Sequence, residues 1–329
     1  MAVPPDARPY GAATDEGMRV LVAGADVGGT NIMVGLVDED HEVVARRKLP
    51  TPDGARPVLD AIVGMVLDFD DKPAALGVGV PGPVHDGKVV SLPNLTGWSP
   101  DLSVTEALSS RIGIPVAVEN DAQVGVLGEW VAGAARGYDN VLGIWLGTGV
   151  GAGMVIGGEP FGGAHGTGGE FGHILVRPDG ALCGCGRRGC VEAYAGRRMM
   201  GEAVQRLVDA GRATNLFEIM EKKGKPRPTS AVWRDALEAG DEVVEEVFEA
   251  GLEAVGIGLA SAVNLLDPDI VVIGGGLAEK LGQPLADRIA AHAEARVMHV
   301  AGRPVVVAER EDDAGVVGAA WVGRQSAAS

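Results

Sequence analysis

The sequence predicts an α/β protein with two domains and a cleft between them. Two units of strand, glycine- and threonine-containing turn, and second strand support this fold class, at residues 20–37 and 141–156. Helical periodicity between the units indicates a duplicated architecture, although the pattern alone leaves two unrelated hairpins open. The 329 residues are enough for two domains of ordinary size.

The other elements follow in order along the chain. Apolar residues recur at helical spacing over 58–69, and Ser99 followed by Pro100 is typical of a helix start. After residue 197 the chain is mostly helical, with a long apolar stretch at 243–266. The remaining predicted strands cover 42–48, 75–80, 115–119, 270–273 and 304–308, and a glycine- and alanine-rich helix covers 314–323.

Composition and charge exclude several classes of protein. The chain has 28 lysine and arginine residues against 45 aspartate and glutamate residues, a formal charge of −17. Because such a surface repels phosphate backbones and anionic lipids, we expect no nucleic-acid partner and no membrane partner. Residues 1–18 do not resemble a signal peptide, and no apolar stretch is uninterrupted over the length of a membrane span. We therefore expect a cytoplasmic protein with a flexible extension at residues 1–18.

Glycine is abundant, with 51 residues that cluster between apolar runs. Two clusters with threonine follow strands, at 26–31 and 147–151, and a third cluster follows a strand at 274–276. Backbone N–H groups in such turns can converge on phosphate oxygens, and threonine hydroxyls can donate to them. Neither threonine-containing turn is a Walker A loop or a dinucleotide fingerprint, so together the clusters predict a nucleotide site of another kind.

All three cysteines lie within eight residues, at Cys183, Cys185 and Cys190. This spacing is a poor disulfide framework and is typical of a metal site, with redox-active or incidental thiols as the alternative. Zn²⁺ accepts three thiolates and one histidine in a tetrahedral site, and a closed set of four protein ligands indicates a structural ion.

His173 is the favoured fourth ligand, with His85 and His165 as rivals on composition alone. Glu170 and Glu192 bracket the cysteine cluster, so a metal bound through His173 would fix these acidic side chains in one place. The sequence therefore predicts a zinc site next to hydrogen-bonding carboxylates.

Asp121 follows Asn120 at the end of a predicted strand, where helix-like sequence begins. Asparagine and aspartate are preferred at helix N-caps, because their side-chain oxygens accept backbone N–H bonds. A carboxylate can also act as general base, since phosphoryl transfer to an alcohol needs a group that takes the hydroxyl proton. Taken alone, Asp121 is better explained as a cap.

Six motifs occur in one order over residues 20–322 and together resemble the ROK (repressor, ORF, kinase) family, especially its bacterial glucokinases. The motifs are Asp26-x-Gly-Gly-Thr-Asn, Glu119-Asn120-Asp121, Leu146-Gly-Thr-Gly-Val-Gly, Gly169-Glu170-x-Gly-His173, Cys183-Gly-Cys-Gly-x-x-Gly-Cys190-x-Glu192 and Asp267-Pro-x-x-x-x-Ile273-Gly-Gly-Gly276. The cysteine motif with its flanking acids is very specific.

The resemblance implies an actin-like, hexokinase-type fold of the ribonuclease H-like kind, with two α/β domains around a cleft. We expect a small domain at 19–122, completed by a C-terminal helix at 312–326, and a large domain at 123–311 with a zinc loop at 173–190. The resemblance also implies a homodimer or homotetramer.

The resemblance implies ATP-dependent phosphorylation of glucose at O6, with Asp121 as general base, structural Zn²⁺, and Mg²⁺ bound with ATP. His173 is implied to bind zinc through one ring nitrogen and sugar through the other. The implied sugar ligands are Asn94, Asn120, Asp121, Glu170, His173 and Glu192. The implied ATP ligands are Asp26, Gly28, Gly29, Thr30, Asn31, Gly147, Thr148, Gly149, Gly274, Gly275 and Gly276. Gln123 and Gly196 depart from the commonest family pattern.

Alternatives within the family stay open. N-acetylmannosamine kinase and fructokinase would use the same base and zinc loop, and polyphosphate is an alternative phosphoryl donor. The family's repressors place a helix-turn-helix domain before the first glycine turn; only 25 residues precede Asp26 here, so we expect an enzyme. A non-catalytic sugar-binding regulator is the remote alternative.

Overall fold

The computed structural model describes residues 20–85, 87–89, 103–298 and 302–328. Within these ranges the chain forms two five-stranded sheets and a two-stranded hairpin, with helices packed around them. Three sequence predictions lie outside the described residues: Asn94, the extension at 1–18, and the helix start at Ser99 and Pro100.

The strands are β1 (Val22–Val27), β2 (Asn31–Val37), β3 (Val43–Pro50), β4 (Leu76–Val80), β5 (Val84–His85), β6 (Lys88–Val89), β7 (Val116–Asn120), β8 (Val141–Leu146), β9 (Val150–Ile156), β10 (Glu159–Pro160), β11 (Ile270–Gly274) and β12 (Val305–Val307). The helices are α1 (Ala55–Leu67), α2 (Val104–Ile112), α3 (Asp121–Ala132), α4 (Glu192–Ala195), α5 (Arg197–Asp209), α6 (Leu216–Lys222), α7 (Ser230–Glu238), α8 (Glu242–Leu266), α9 (Gly276–Leu281), α10 (Gln283–Glu294) and α11 (Ala314–Ala328).

The first sheet has the strand order β3-β2-β1-β4-β7. β1, β2 and β3 are antiparallel neighbours, whereas β1, β4 and β7 run parallel to one another. The carboxyl ends of parallel strands share one edge of a sheet, which is where ligands bind in open α/β folds. Asp26 near the end of β1 and Asn120 at the end of β7 therefore lie at the same edge.

The second sheet repeats this arrangement with the order β10-β9-β8-β11-β12. β8 and β9 are antiparallel, and β8, β11 and β12 run parallel. The predicted duplicated unit of strand, turn and strand is thereby confirmed. The domain boundaries at 122/123 and 311/312 stay predictions.

Helix α11 packs its backbone directly against the first sheet. A Cβ atom on Gly24 of β1 would lie 1.9 Å from the Val316 carbonyl oxygen, and one on Gly77 of β4 would lie 1.7 Å from the Ala319 oxygen. Only glycine fits at these distances. Part of the abundant glycine therefore serves helix–sheet packing, and not the turns and ligand contacts that its clustering predicted.

Helix α2 begins at Val104, later than the Ser99 signal predicted. Ser103 caps it, because its side-chain oxygen accepts the backbone N–H of Glu106 at 3.2 Å. A serine followed three residues later by glutamate is a capping-box sequence, and this signal was missed.

Helix α8 lies in the core around the second sheet. Its length and composition would suffice to cross a membrane, contrary to the sequence expectation that no stretch would. Of its most apolar window, however, 56% is buried inside the protein, and Val255 and Leu259 belong to the core. A buried core helix meets the same criteria, so α8 is weak evidence for a membrane span.

Candidate active site

A cavity of about 290 Å³ lies between the carboxyl edge of the first sheet and the start of β9. Six glycines contribute to its wall: Gly82, Gly151, Gly162, Gly166, Gly168 and Gly169. The polar side chains in its wall are those of Glu119, Asn120, Asp121, Gln123, Glu170 and His173. A small concave site with convergent polar groups is typical of small-molecule binding.

Asp121 is the first residue of α3, but Asn120 is the cap of that helix. Asn120 Oδ1 accepts the backbone N–H of Gln123 at 3.1 Å, and its Nδ2 donates to the Gly82 carbonyl at 3.0 Å. Asp121 Oδ1 accepts the N–H of its neighbour Ala122 at 2.8 Å. The capping role therefore belongs to Asn120, and the Asp121 carboxylate stands in the cavity wall.

Burial raises the pKa of Asp121 from an ordinary 3.8 to about 6. The Glu170 carboxylate adds to this rise, and the Ala122 backbone N–H opposes it. A carboxyl group with this pKa is mostly ionised at neutral pH and accepts a proton more readily than an ordinary aspartate. The arrangement can therefore deprotonate a hydroxyl group bound in the cavity.

Glu119 is a second buried carboxylate in the same wall. Burial raises its pKa, and its Oε1 accepts the Asn120 backbone N–H at 2.7 Å. Glu119 belongs to one of the sequence motifs, but no role was predicted for it, since period-two alternation in a strand cannot tell which carboxylate faces a cavity.

Gln123 joins the start of α3 to the second sheet. Its Nε2 donates to the Met154 carbonyl at 2.8 Å, and its Oε1 accepts the Met154 backbone N–H at 2.8 Å. The side chain is only 5% exposed. The departure from the family pattern at Gln123 thus fixes the helix that carries Asp121 to β9.

Glu170 and His173 face the same cavity from the segment after β10. His173 Nε2 lies 3.7 Å from Glu170 Oε2, across the short helical turn Phe171–His173. Gly169 precedes them with φ 86°, and a Cβ there would lie 2.8 Å from the Ala152 oxygen. Glycine therefore lets this segment cross β9 closely enough to place both side chains in the cavity.

His173 also belongs to a cluster with Cys183, Cys185 and Cys190, whose ligand atoms all lie within 4.8 Å of one another. Cys185 Sγ lies 3.8 Å from Cys190 Sγ, and Cys183 Sγ lies 3.8 Å from His173 Nδ1. Sulfur atoms bound tetrahedrally at about 2.3 Å from one ion stand about 3.8 Å apart. These four residues can therefore bind a metal ion.

The three cysteines are free, so all three thiols are available as ligands. Burial raises the pKa of the Cys183 and Cys190 thiols, whereas hydrogen bonds to Arg187 and to the other two cysteines lower the pKa of Cys185. A bound cation would reverse this rise, because the thiolate is the ligand form. His85 and His165, the rival ligands, lie outside the cluster with ring centroids 6.4 Å apart.

Glu192 connects the metal-binding cluster to the second glycine turn. Its Oε2 accepts the Val150 N–H at 3.0 Å, and its Oε1 lies 3.8 Å from Cys183 Sγ. A Cβ on Gly149 would lie 2.3 Å from the Glu192 carboxylate. Glu192 is not among the residues that line the cavity, so its role as a sugar ligand stays a prediction.

The two threonine-containing turns are tightly closed. The Gly28 N–H donates to the Asn31 carbonyl at 3.0 Å, and the Gly147 N–H donates to the Gly149 carbonyl at 3.0 Å. Because these two N–H groups are engaged inside the turns, an anion would have to use other donors, such as the hydroxyls of Thr30 and Thr148.

Asp26 lies close enough to Asp121 for the two charges to interact. Burial raises the pKa of Asp26 to about 7, and the Asp121 charge is the second cause. A Cβ on Gly315 would lie 2.5 Å from Asp26 Oδ2, so glycine also allows α11 to begin against this carboxylate. Neighbouring carboxylates with raised pKa values are typical of acid–base and metal-ion sites.

The third glycine cluster joins β11 to α9. Gly275 has φ 85°, and a Cβ there would lie 2.7 Å from the Leu146 oxygen at the end of β8. A Cβ on Gly276 would lie 2.8 Å from Ser230 Oγ at the start of α7. The cluster therefore lies beside the second glycine turn, as a shared nucleotide site would require.

Known proteins share this sequence pattern over almost the whole chain. The ROK family model matches residues 22–326. The glucokinase of Streptomyces coelicolor is 35% identical over 316 residues, which cover 93% of this chain and 98% of the relative. The N-acetyl-D-glucosamine kinase of Shigella flexneri is 31% identical over 313 residues, which cover 89% and 95%.

A solved structure extends the likeness to three dimensions. The crystal structure of a ROK family glucokinase from Streptomyces griseus, in complex with glucose and AMPPNP, is 34% identical. It superposes with a TM-score of 0.81 over 93% of this chain and 99% of that chain. The fold is thus the predicted actin-like, hexokinase-type fold. On sequence and structure together, the chain belongs to the ROK family.

Proposed function

We propose that the protein transfers the γ-phosphoryl group of ATP to O6 of glucose, with Asp121 as general base. The observation that carries the proposal is the Asp121 carboxylate, buried in a polar cavity with a pKa of about 6. The similarity to glucokinases over almost the whole chain supports glucose as the sugar.

Asp121 acts on the hydroxyl proton. As the sugar oxygen attacks the γ-phosphorus, its proton passes to the carboxylate, the new O–P bond forms, and the bond to the ADP oxygen breaks with its electron pair on ADP. Because Asp121 is already ionised at neutral pH, no earlier proton loss is needed. Asn120 holds the start of α3 and thereby holds Asp121 in place.

The other cavity side chains bind the sugar. Glu170 can accept hydrogen bonds from two hydroxyls, and His173 can use its Nε2 because its Nδ1 faces the cysteine cluster. We also assign sugar contacts to Asn120, and to Glu192 and Asn94 from the family resemblance. Ligands on two sides of one cavity would hold the reacting hydroxyl in a single orientation.

We infer that the metal of the cysteine cluster is Zn²⁺, because three thiolates and one imidazole form a donor set that Zn²⁺ prefers. A closed set of four ligands gives the ion a structural role, in which it orders the loop and fixes the His173 ring. The sugar-binding residue is therefore held by the metal site.

The donor site lies at the three glycine clusters. We assign the ATP phosphates to the turns at Gly28–Asn31 and Gly147–Gly149, and the adenosine to Gly274, Gly275 and Gly276. Mg²⁺ bound with ATP would neutralise phosphate charge, and we assign Asp26, a buried carboxylate near Asp121, as its protein ligand. We further propose a cytoplasmic homodimer or homotetramer.

A hexosamine kinase is the second candidate, because a relative at 31% identity is an N-acetyl-D-glucosamine kinase. N-acetylmannosamine and fructose also stay alternatives, since the same base and metal site would serve them. Purified protein with ATP and Mg²⁺ should give its highest kcat/KM with glucose among these four sugars. A tenfold preference for a hexosamine would overturn the substrate, and no sugar turnover with ATP would overturn the activity.

A further inference from the structure

Two arginines lie at the two threonine-containing turns, Arg197 at the second and Arg227 at the first. Arg197 is the first residue of α5, and Arg227 lies in the loop between α6 and α7. Within the part of the chain that the structure describes, neither guanidinium is within 4.0 Å of a carboxylate oxygen. In a chain with a formal charge of −17, two cations beside the turns give this site a positive charge of the opposite sign.

Arg197 is built into the second glycine turn. Its backbone N–H donates to the Gly147 carbonyl at 3.2 Å, and the N–H of Arg198 donates to the Thr148 carbonyl at 3.2 Å. The Arg197 Nη2 donates weakly to Thr148 Oγ1 at 3.4 Å, and its Nε is buried with no hydrogen-bond partner among the described residues. A buried charged donor without an acceptor is costly, so it marks a place where an acceptor binds.

Arg227 reaches the first glycine turn. Its Nη2 donates to Thr30 Oγ1 at 2.7 Å. Burial is the larger cause that lowers the pKa of Arg197, and the positive charge of Arg227 is the second cause. The two guanidinium groups are therefore near enough to interact. Both stay protonated, since guanidinium does not lose its proton in proteins. Two like charges therefore lie beside the threonines of the two turns.

We propose that Arg197 and Arg227 form a phosphate clamp that binds the phosphate chain of the donor at the two threonine-containing turns. The proposal rests on the proposed function, and it adds two donor-binding residues that the motifs do not contain. Guanidinium groups match phosphate oxygens in charge and in paired N–H geometry. The ligand class is a linear di- or triphosphate, either in a nucleotide or inorganic. Neither arginine lines the sugar cavity, so sugar binding should not depend on them.

The test compares Arg197→Gln and Arg227→Gln with Arg206→Gln, which changes an exposed arginine on the same helix as Arg197. Calorimetry gives the Kd for ADP and for tripolyphosphate, and steady-state kinetics give KM for ATP and for glucose. Each clamp variant should raise the Kd for ADP and the KM for ATP about 10- to 100-fold, the usual effect of losing a charge-assisted hydrogen bond. KM for glucose and the melting temperature should stay unchanged, and Arg227→Lys should recover part of the binding.

Unchanged ADP affinity and ATP KM in both glutamine variants would overturn the clamp. So would parallel losses of glucose affinity and melting temperature, which indicate a structural role. If the wild-type protein phosphorylates no sugar, the proposed function fails, and the clamp is still decided by binding: arginine-dependent affinity for ADP or tripolyphosphate supports it, and absent or arginine-independent affinity overturns it. If tripolyphosphate binds with an affinity similar to that of ADP, the clamp recognises the phosphate chain alone. If only ADP binds, the clamp recognises the phosphate chain of a nucleotide.

Discussion

Asp121→Asn separates proton transfer from every other role of this residue. Asparagine has nearly the same shape and can still accept the Ala122 N–H, and the helix cap at Asn120 is untouched. General-base catalysis contributes roughly 10²–10⁴-fold, about 3–5 kcal/mol of barrier. We therefore expect kcat to fall at least about a hundredfold, while the Kd for glucose changes little.

The same substitution should stabilise the folded protein at pH 8. The folded-state pKa of Asp121 is about 6 against an ordinary 3.8, so ionisation costs the folded state up to about 3 kcal/mol. Because this pKa is raised, the stability of the wild-type protein is greater below about pH 4 and is lost as the pH rises through about 6. The stabilising effect of Asp121→Asn should thus be present at pH 8 and absent below pH 4.

Two assays are needed: a coupled-enzyme assay that measures kcat, and urea unfolding at pH 8 and below pH 4. Asp71→Asn, at an exposed position, is the matched control and should change neither quantity. Near-normal kcat in Asp121→Asn would remove the base from the mechanism, leaving only positioning and charge stabilisation. An unchanged unfolding free energy of Asp121→Asn at pH 8 would show that ionisation of Asp121 does not destabilise the folded protein.

Three further predictions follow from the site. The rate with glucose should fall about tenfold per pH unit below about pH 6, because the raised pKa of Asp121 leaves it protonated there, and a flat pH–rate profile from 5 to 8 would contradict this. Elemental analysis should find about one Zn²⁺ per chain. His173→Ala should lower the zinc content, the glucose affinity and the melting temperature together, and full glucose affinity without zinc would contradict the link between the two sites. Gln123→Ala should lower the unfolding free energy by about 1–3 kcal/mol, because it leaves the buried Met154 N–H unpaired, while the Met154 carbonyl keeps the Phe161 N–H. Gln205→Ala, at an exposed position, should be nearly silent, and equal effects of the two variants would refute the reasoning.

Local patterns in the sequence were sufficient for most of the fold. Alternation and glycine turns predicted both antiparallel strand pairs, and the cysteine spacing predicted the cluster that the structure brings together with His173. The strand pairs and the cysteine cluster depend mainly on residues close in sequence, so they can be predicted from a single sequence.

Long-range packing was not readable in the same way. Gly24 and Gly77 permit contact with α11, almost three hundred residues later for Gly24, and no local pattern indicates that partner. Gln123 bonds to β9, and Arg227 meets Thr30 across 197 positions. Such pairs need the folded chain, because one residue alone shows neither its neighbour nor the distance to it.

The position of the phosphate on the product tests the central claim most directly. NMR of the reaction of wild-type protein with glucose, ATP and Mg²⁺ should show phosphate on O6 only, with ADP formed in equal amount. Asp121→Asn at equal concentration should form no more than about 1% as much in the same time. Phosphate on another oxygen, or ADP formed without sugar phosphate, would contradict the proposed assignment of the cavity and its base.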